Sequence, residues 1–437
     1  MRSRVFLSLT LLLACGARAG LEAPATGTTL PDAGQPVPVA LPCAGTSAVG
    51  EIAWQTPLGQ LDERVRGPVA TDDAGTTYFF VTRKTNAADY ALVALDSCGR
   101  LLWRTDPTPA GPTLNAQSSF LVRGAQIVAQ WGGVDGFDRA TGKHLWNVDL
   151  NALAGEDLGL DDFASIGPIA AAKDGTAYLA FETDALATLL AIDTAGRTSV
   201  LATTPNPGSI VSLVLDGAGH LDVLFNTAQR GALVESFTTA GATVFSASFA
   251  CQEGFLAGLA SGSQYLVMQS GPCVLSLGGA PGFSPAPSPP DFSDYSAVAI
   301  DADDNLYMRS SMPLAFSFDG AGHTRWKRGQ GLGKAILAGP LLATNAQVLF
   351  VATETPSFPA PSPATIVALD AKTGAPLSTR LAGTIEDNDA LLTAAQHLVF
   401  FGGGVATAVA TGQVPAADAQ WATTNGGADQ RRAARGR

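Results

Sequence analysis

The side chains that most often act as catalytic bases, nucleophiles or metal ligands are sparse in this chain. Its 437 residues include four histidines and five cysteines. The histidines lie in four separate stretches and no two cysteines form a C-x-x-C pair, so neither residue type builds a metal cluster or supplies an obvious general base. The histidines are His144, His220, His323 and His397.

Acidic residues offer one further candidate for chemistry. The run Asp301–Asn305 (DADDN) alternates oxygen-bearing side chains, as the start of a calcium-binding loop does. It lacks the glycine and the distal glutamate of that loop, and it falls where a hairpin must turn. We interpret it as a turn. The sequence therefore predicts no catalytic residue, no metal site and no cofactor.

Charge and composition restrict the possible classes of partner and of fold. The chain carries 38 acidic and 26 basic residues, a net charge of −12. This balance argues against a nucleic-acid partner, because a basic surface is needed to neutralise phosphates. The 48 glycines and 27 prolines are dispersed along the chain, which favours many short strands and turns over long helices.

The N-terminus has the pattern of an export signal. Two arginines precede the apolar run Val5–Leu13, which is too short to span a bilayer. Leu12–Cys15 resembles a bacterial lipobox, so residues 1–14 are predicted to be a signal peptide and Cys15 the lipid-bearing N-terminus of the mature protein. A competing interpretation is the Ala-x-Ala site at Ala17–Ala19, whose cleavage would release an unanchored protein into the periplasm. Both interpretations export the chain.

A repeated phrase organises the rest of the chain. Ala94–Trp103 (ALDSCGRLLW) reappears as Gly136–Trp146 (GFDRATGKHLW), and weaker copies follow. Each copy is typical of a strand, a tight Asp/Gly turn and a second strand, because glycine permits the positive φ that such a hairpin requires. Four tryptophans lie four residues after such a glycine, where they are expected to cover apolar surface between neighbouring sheets. These are Trp54, Trp103, Trp146 and Trp326.

A second strand-turn-strand phrase precedes each copy, so one unit contains four strands. A period of about 40–50 residues with four strands per unit is typical of a β-propeller. The predicted fold is all-β: an eight-bladed β-propeller of four-stranded antiparallel blades over residues 50–421, preceded by a tether at 15–49 and followed by a tail at 422–437. A degenerate fifth unit lies near Gly279, and the choice between seven and eight blades depends on whether it is a full blade. The units are marked by Gly50, Gly99, Gly142, Gly196, Gly241, Gly322, Gly374 and Gly412.

The two ends of the propeller are expected to meet. Gly50–Trp54 has the pattern of a strand with no partner before it, whereas the segment after Gly412 contains Pro415, which cannot donate to a ladder. We therefore expect Glu51–Gln55 to supply the outer strand of the last blade and to remove an open sheet edge.

These phrases resemble the pyrroloquinoline-quinone-like (PQQ-like) propeller repeat, whose signature runs Ala-Leu-Asp, Thr-Gly, strand, Trp. Two functional groups share that repeat: quinoprotein dehydrogenases, and non-enzymatic envelope propellers such as the lipoprotein of the outer-membrane β-barrel assembly machinery. Quinoprotein alcohol dehydrogenases carry an adjacent cysteine pair beside the quinone, and this chain has no Cys-Cys dipeptide.

The resemblance thus implies a non-catalytic lipoprotein of the bacterial cell envelope. It is expected to be a monomer anchored in the outer membrane, facing the periplasm or the cell surface, and to bind an envelope protein or peptide as an assembly scaffold. The alternative is a divergent quinoprotein dehydrogenase or another propeller enzyme, since soluble quinoproteins of the glucose-dehydrogenase type also lack the cysteine pair.

Two disulfides are expected among the four cysteines that remain after Cys15, because an exported chain matures in an oxidising compartment. Cys251 and Cys273 both lie in the degenerate fifth unit. Cys98 lies in the turn between the third and fourth strands of the first blade, and Cys43 lies just before the matching turn of the closing blade. Of the three possible connectivities, we predict Cys43–Cys98 and Cys251–Cys273.

Partner binding is predicted on one face of the propeller. Loops between second and third strands, and between successive blades, emerge on the face opposite the tight turns. Proline-rich and acidic segments fall there, and proline-rich segments lose little entropy on docking. For any one segment, a solvated loop is the competing interpretation. The candidate residues are Glu156, Asp157, Asp161, Asp162, Pro356, Pro359, Pro361, Glu386, Asp387 and Asp389.

Overall fold

The computed structural model describes part of the chain. The described residues are 47–58, 63–83, 90–105, 120–130, 133–150, 153, 167–172, 174–183, 186–205, 207–216, 218–227, 231–249, 254–258, 264–268, 274–277, 295–310, 314–319, 323–329, 332–333, 335–343, 346–353, 362–385, 390–402 and 404–415. They form 31 β-strands arranged in antiparallel sheets.

The strands follow one another along the chain in sets of four, and each set is one blade. Blade 1 contains β2 (Glu63–Thr71), β3 (Thr77–Arg83), β4 (Tyr90–Leu95) and β5 (Leu101–Thr105); blade 2 contains β6 (Phe120–Arg123), β7 (Gln126–Gln130), β8 (Val134–Asp138) and β9 (His144–Val148). Blade 3 contains β10 (Ala170–Ala171), β11 (Ala177–Glu182), β12 (Leu186–Ile192) and β13 (Thr198–Pro205); blade 4 contains β14 (Gly208–Leu215), β15 (His220–Thr227), β16 (Ala232–Thr238) and β17 (Thr243–Phe249).

The second half of the chain repeats this order after one shorter sheet. That sheet contains β18 (Gly254–Gly258), β19 (Gln264–Met268) and β20 (Val274–Leu277). Blade 5 contains β21 (Tyr295–Ile300), β22 (Leu306–Ser310), β23 (Ala315–Phe318) and β24 (Thr324–Arg328); blade 6 contains β25 (Ala335–Ala343), β26 (Gln347–Thr353), β27 (Ser362–Asp370) and β28 (Pro376–Ile385). Blade 7 contains β29 (Ala390–Leu392), β30 (His397–Gly402), β31 (Val405–Ala410) and, from the N-terminus, β1 (Ile52–Pro57).

The prediction of eight four-stranded blades is wrong, because the propeller has seven. The degenerate fifth unit contributes only a three-stranded sheet, β18-β19-β20, among the described residues. Its sequence gives a physical reason. An outer strand would follow Gly279, where the segment 281–290 contains five prolines, and proline has no backbone N–H to donate to a sheet ladder.

The N-terminal strand closes the last blade, as expected from the sequence. The order in blade 7 is β1-β31-β30-β29, with Trp54 opposite Ala408 in the antiparallel register. The Gly50 N–H donates to the Ala410 carbonyl at 2.7 Å, and the Ala410 N–H donates to the Glu51 carbonyl at 3.0 Å. The first and last strands among the described residues therefore share one sheet, and hydrogen bonds join them there.

The hydrophobic core is divided among the junctions between blades. The cluster between blades 1 and 7, for example, joins Phe79 and Val81 to Val399 and Phe401, with the Phe79 and Phe401 rings 4.8 Å apart. Similar clusters lie between blades 1 and 2, 2 and 3, 3 and 4, 5 and 6, and 6 and 7. Blades 1, 2, 3, 6 and 7 thus bury both faces, which explains why their strands are nearly continuous apolar runs.

Tight turns join first to second and third to fourth strands, and we call the side on which they lie the turn face. In the turn after β4, the Asp96 carboxylate accepts the backbone N–H groups of Cys98 and Arg100 at 2.8 and 2.9 Å. The antiparallel order then requires the connections from second to third strands and between blades to begin and end on the opposite side, which we call the loop face.

Candidate functional site

Each tryptophan of the repeat lies across a junction between two blades. Trp103, on the outer strand β5 of blade 1, packs against Gly142 of blade 2, and its indole Nε1 donates to the Arg139 carbonyl at 3.0 Å. Thr105 Oγ1 donates to the Gly142 carbonyl at 2.6 Å. Gly142 has a φ of +70°, and a methyl group on it would lie 2.6 Å from the Trp103 ring. Only glycine fits this turn, because both the conformation and the close approach of the ring exclude a side chain.

The same arrangement recurs at three other junctions. Trp54 packs against Gly99 and donates to the Ser97 carbonyl at 3.0 Å. Trp326 packs against Gly374 and donates to the Ala371 carbonyl at 2.9 Å. At all four junctions the indole packs between its own blade and a glycine turn of the next blade. We call these the tryptophan junctions; the fourth places Trp146 against Gly196.

Trp146 differs from the other three in its hydrogen bonding. Its buried Nε1 has no acceptor among the described residues. Instead, the Arg123 guanidinium lies 5.5 Å from the centre of the Trp146 ring, a geometry that allows a cation–π interaction. The same guanidinium donates to carbonyls of blade 3, including Ile192 at 3.2 Å and Asp193 at 3.0 Å.

Two of the junctions that lack a tryptophan contain a cavity. Between blades 3 and 4, Val200 takes the tryptophan position, and the cavity is only about 10 Å³. Between blades 6 and 7, Ser378 takes that position, and the cavity measures about 220 Å³. We call this second space the seam cavity, because blade 7 is where the two chain ends pair. It is lined by Gln347, Leu349, Ile366, Ala368, Leu377, Ser378, Arg380, Ala410, Thr411 and Gln413.

Arg380 supplies the positive charge of the seam cavity. The equivalent residue of blade 5, Arg328, donates from Nε to the Gly374 carbonyl at 2.8 Å. Arg380 has neither a hydrogen bond nor an ion pair within the described part of the chain. Its side chain instead lies beside Gly50, at the N-terminal side of the seam: a methyl group added to Gly50 would be 3.3 Å from Arg380 Cδ. A cation beside apolar walls suits a ligand that combines a flat apolar body with an acidic group.

A histidine and a carboxylate form a pair on the outer part of blade 2. His144 Nε2 lies 2.7 Å from Asp135 Oδ1, and Asn147 Nδ2 donates to the same oxygen at 3.0 Å. Burial raises the pKa of Asp135, while the hydrogen bonds from Asn147 and His144 lower it. The ring of Phe137 meets the imidazole edge-on at 5.4 Å. These contacts hold the imidazole against the sheet and explain the pair as a packing feature of strands β8 and β9.

Asp222 is a fully buried carboxyl group on β15. Its neighbours Leu221 and Val223 point into the cluster between blades 3 and 4, so strand alternation turns Asp222 toward the three-stranded sheet. Burial raises its pKa to about 8, a hydrogen bond from Ser236 lowers it, and the Asp216 carboxylate raises it further. The group therefore favours its protonated form inside the fold.

The suspected calcium loop is a turn. Asp301 Oδ1 accepts the backbone N–H groups of Asp303 and Asn305 at 3.0 and 2.9 Å, and Oδ2 accepts the Tyr307 hydroxyl at 2.8 Å. Burial and this carboxylate raise the pKa of Tyr307. The described part of the chain contains no group of three or more His, Cys, Asp or Glu side chains that could hold a metal ion.

Of the predicted cysteine sites and partner-face residues, only Cys98 lies in the described part of the chain. Cys98 is disulfide-bonded, whereas Cys15, Cys43, Cys251 and Cys273 lie outside the described residues, as do the ten candidate partner residues on the loop face. The pairing of the cysteines and the partner face stay predictions. Sequence reasoning missed the seam cavity, although its signal was present: Gly374 is followed four residues later by Ser378 in place of tryptophan.

The fold and these junctions define a β-propeller, and solved structures support that class. The chain is 12% identical to Sqt1 of Chaetomium thermophilum, bound to the N-terminus of the ribosomal protein L10, with a TM-score of 0.58 over 80% of this chain and 98% of that chain. It is 12% identical to the C-terminal WD40 domain of Sif2, with a TM-score of 0.54 over 83% and 99%. BamB from Moraxella catarrhalis is 14% identical, with a TM-score of 0.41 over 71% and 81%. The two structures with TM-scores above 0.5, Sqt1 and the Sif2 domain, support the fold alone at these identities.

A comparison with protein-family models identifies a more specific class of β-propeller for part of the chain. Residues 43–219 match the family described as outer membrane protein assembly factor BamB. No curated protein sequence matches that of this chain significantly. The resemblance noted in the repeat is confirmed, because residues 43–219 match a model of the PQQ-like propeller family.

The hydrogen bonds of the tryptophan junctions predict a difference between two conservative substitutions. Trp103→Phe leaves the Arg139 carbonyl without its indole donor, whereas Trp146→Phe removes a buried N–H that has no acceptor. We expect Trp103→Phe to lower the free energy of unfolding by about 1 kcal/mol more than Trp146→Phe, measured by urea denaturation. Trp326→Phe is the control and should behave like Trp103→Phe. Equal losses at positions 103 and 146 would contradict this account.

The buried Asp222 predicts a pH dependence of stability. Because its pKa is raised to about 8 in the fold, from about 4 in the unfolded chain, the native state binds the extra proton between these values. The free energy of unfolding should therefore fall as pH rises from about 4 to about 8. Asp222→Asn should flatten this part of the profile and raise the melting temperature at pH 8. Asp222→Ala controls for packing: it should flatten the profile too but lower stability at every pH. A profile that Asp222→Asn leaves unchanged would rule the assignment out.

Proposed function

We propose that the protein is a non-catalytic scaffold of the bacterial cell envelope that binds a protein or peptide partner on its loop face. The observation that carries this proposal is the match of residues 43–219 to the family of an outer membrane assembly factor. The predicted signal peptide and lipid-bearing Cys15 support it, because both belong to an exported chain. Within the described residues, no helix is long and apolar enough to cross a membrane.

The hydrogen bonds made by carboxylates on the turn face support the loop face as the partner-binding surface. Asp96, Asp193 and Asp216 each accept two backbone N–H groups of their own turn. Arg100 and Arg197 also pair with the first two of these at 2.6 and 2.8 Å. The carboxylates of these three aspartates are therefore engaged in hydrogen bonds within their own turns. The acidic and proline-rich segments 156–162, 356–361 and 386–389 connect strands whose described ends lie on the loop face, and a basic partner surface would complement their charge.

The predicted tether sets the orientation. The chain enters blade 7 through residues 47–50 on the turn face, next to the start of β1. A lipid at Cys15 would therefore hold the turn face toward the membrane and leave the loop face directed away from it. A Cys43–Cys98 disulfide would fix the tether to blade 1 at the turn that contains Cys98.

The disulfide pairing has a direct measurement. Mapping of the non-reduced peptides by mass spectrometry should find Cys43 joined to Cys98 and Cys251 joined to Cys273. Each link should contribute about 2–4 kcal/mol to stability. A peptide that joins Cys43 to Cys251 would overturn both pairs and the orientation that depends on the first.

Partner binding is tested by removing the loop-face features without disturbing the sheet. Ser362 and Pro363 belong to β27, and the Pro363 carbonyl accepts the Thr353 hydroxyl at 2.7 Å, so the shortening is confined to residues 356–361. This change is combined with Glu386→Gln, Asp387→Asn and Asp389→Asn. We expect recovery of the partner from envelope extracts to be lost while the melting temperature is retained.

The matched control removes the same number of charges from the other side. Glu51→Gln, Asp73→Asn and Asp303→Asn neutralise three exposed acids of the turn face, and partner recovery should not change. A folded loop-face variant that recovers its partner as the unmodified protein does would refute the proposal. Loss of recovery in the control alone would move the binding surface to the turn face.

A further inference from the structure

The seam cavity lies beside Ser378, the residue that replaces a tryptophan of the repeat. At the preceding junction, Trp326 of blade 5 packs against Gly374 of blade 6. The corresponding residues at the next junction are Ser378 and Gly412. Val49 contacts Gly412 there, and Ser378 lines an open space where the other outer strands carry an indole. The resulting cavity of about 220 Å³ is far larger than the ~10–15 Å³ that admits one water molecule. The cavity is therefore large enough to admit a side chain, and Ser378, which lines it, holds the position of the missing tryptophan.

The walls of the cavity have the chemistry that an indole needs. Leu349, Ile366 and Leu377 present apolar surface, and Gln347 and Gln413 bring side-chain carbonyls that can accept an indole N–H. A tryptophan is favoured over phenylalanine in such a site, because it combines a large apolar ring with one donor that must be satisfied when buried.

The chain itself carries a tryptophan within reach. The last described residue, Pro415, bridges to Ala343 on the inner strand of blade 6, two residues after Gln413 of the cavity wall. Trp421 follows six residues later, and six extended residues span up to about 20 Å. The full width of a four-stranded blade is only about 14 Å. Every part of the seam cavity thus lies within the reach of Trp421.

Charge complementarity points to the same segment. Arg380 lines the cavity and has no ion pair within the described part of the chain. The tail contains Asp418 three residues before Trp421. One short segment therefore offers both an indole for the apolar walls and a carboxylate for the guanidinium.

We propose that Trp421 docks in the seam cavity and replaces the tryptophan that blade 6 lacks at Ser378. The docked tail packs against blades 6 and 7 beside β1 and β31, where hydrogen bonds between two chain ends close the ring. It stabilises the closure by a contact that the repeat itself does not supply. This inference is independent of the partner proposed for the loop face, because the seam cavity lies near the turn face.

A double-mutant cycle tests the docking. Trp421→Ala should lower the melting temperature by several degrees, whereas Ser378→Trp should fill the cavity from blade 6 and make Trp421→Ala nearly neutral in its background. Gln430→Ala is the control in the same tail and should change nothing in either background. Shifts that simply add across the cycle would overturn the proposal.

Chemical accessibility gives a second readout that does not require any variant to fold. Oxidation of tryptophans by N-bromosuccinimide, followed by peptide mass spectrometry, should modify Trp421 at least about tenfold more slowly in the native protein than in guanidinium. The buried Trp103 is the protected reference. The same measurement on Ser378→Trp should find Trp421 as reactive as in the unfolded chain. Rapid oxidation of Trp421 in the native protein would overturn the proposal and leave the cavity to an aromatic residue of a partner.

Discussion

The packing of an indole from one blade against a glycine turn of the next is the interaction on which the rest of the structure depends. Each ring covers a glycine of positive φ and, at three of the four tryptophan junctions, hydrogen-bonds a carbonyl of the same turn. The contact fixes the distance and angle between two sheets at their outer edge. The apolar clusters between the sheets then fill the space that this spacing leaves. Because the glycine and the tryptophan belong to one repeat phrase but contact each other across two units, a change in either residue acts on a junction and not on a single blade.

This geometry explains which parts of the fold could be predicted from the sequence. The glycine and the tryptophan four residues later are close in the chain, so their spacing reveals the outer hairpin and its repeat. The closing strand could also be predicted, since Pro415 cannot pair and the strand after Gly50 has no earlier partner. The blade count failed in the fifth unit, where the repeat phrase is degenerate and the described residues form only the three-stranded sheet β18-β19-β20.

The seam cavity shows the limit of reasoning from one repeat at a time. Ser378 is an ordinary residue for an exposed outer strand, and only its position relative to Gly374 makes it unusual. The consequence appears on the next blade, where Gly412 contacts Val49 from the N-terminal segment instead of an indole. The junction that lacks its tryptophan and has the larger cavity is also the junction next to the closing sheet, so two weak features coincide at one place in the ring.

The turn face and the loop face differ in how far their polar groups are engaged in hydrogen bonds within the propeller. On the turn face, aspartates accept backbone N–H groups within their own hairpins, and Asp72 and Asp301 also accept the hydroxyls of Tyr78 and Tyr307. A carboxylate with two or three internal donors gains little from an external one, because a new contact would only replace a hydrogen bond already made. The repeat therefore uses one side of the propeller for its own cohesion. Variation in sequence and length is tolerated at the other ends of the strands, and recognition of a partner needs such variation.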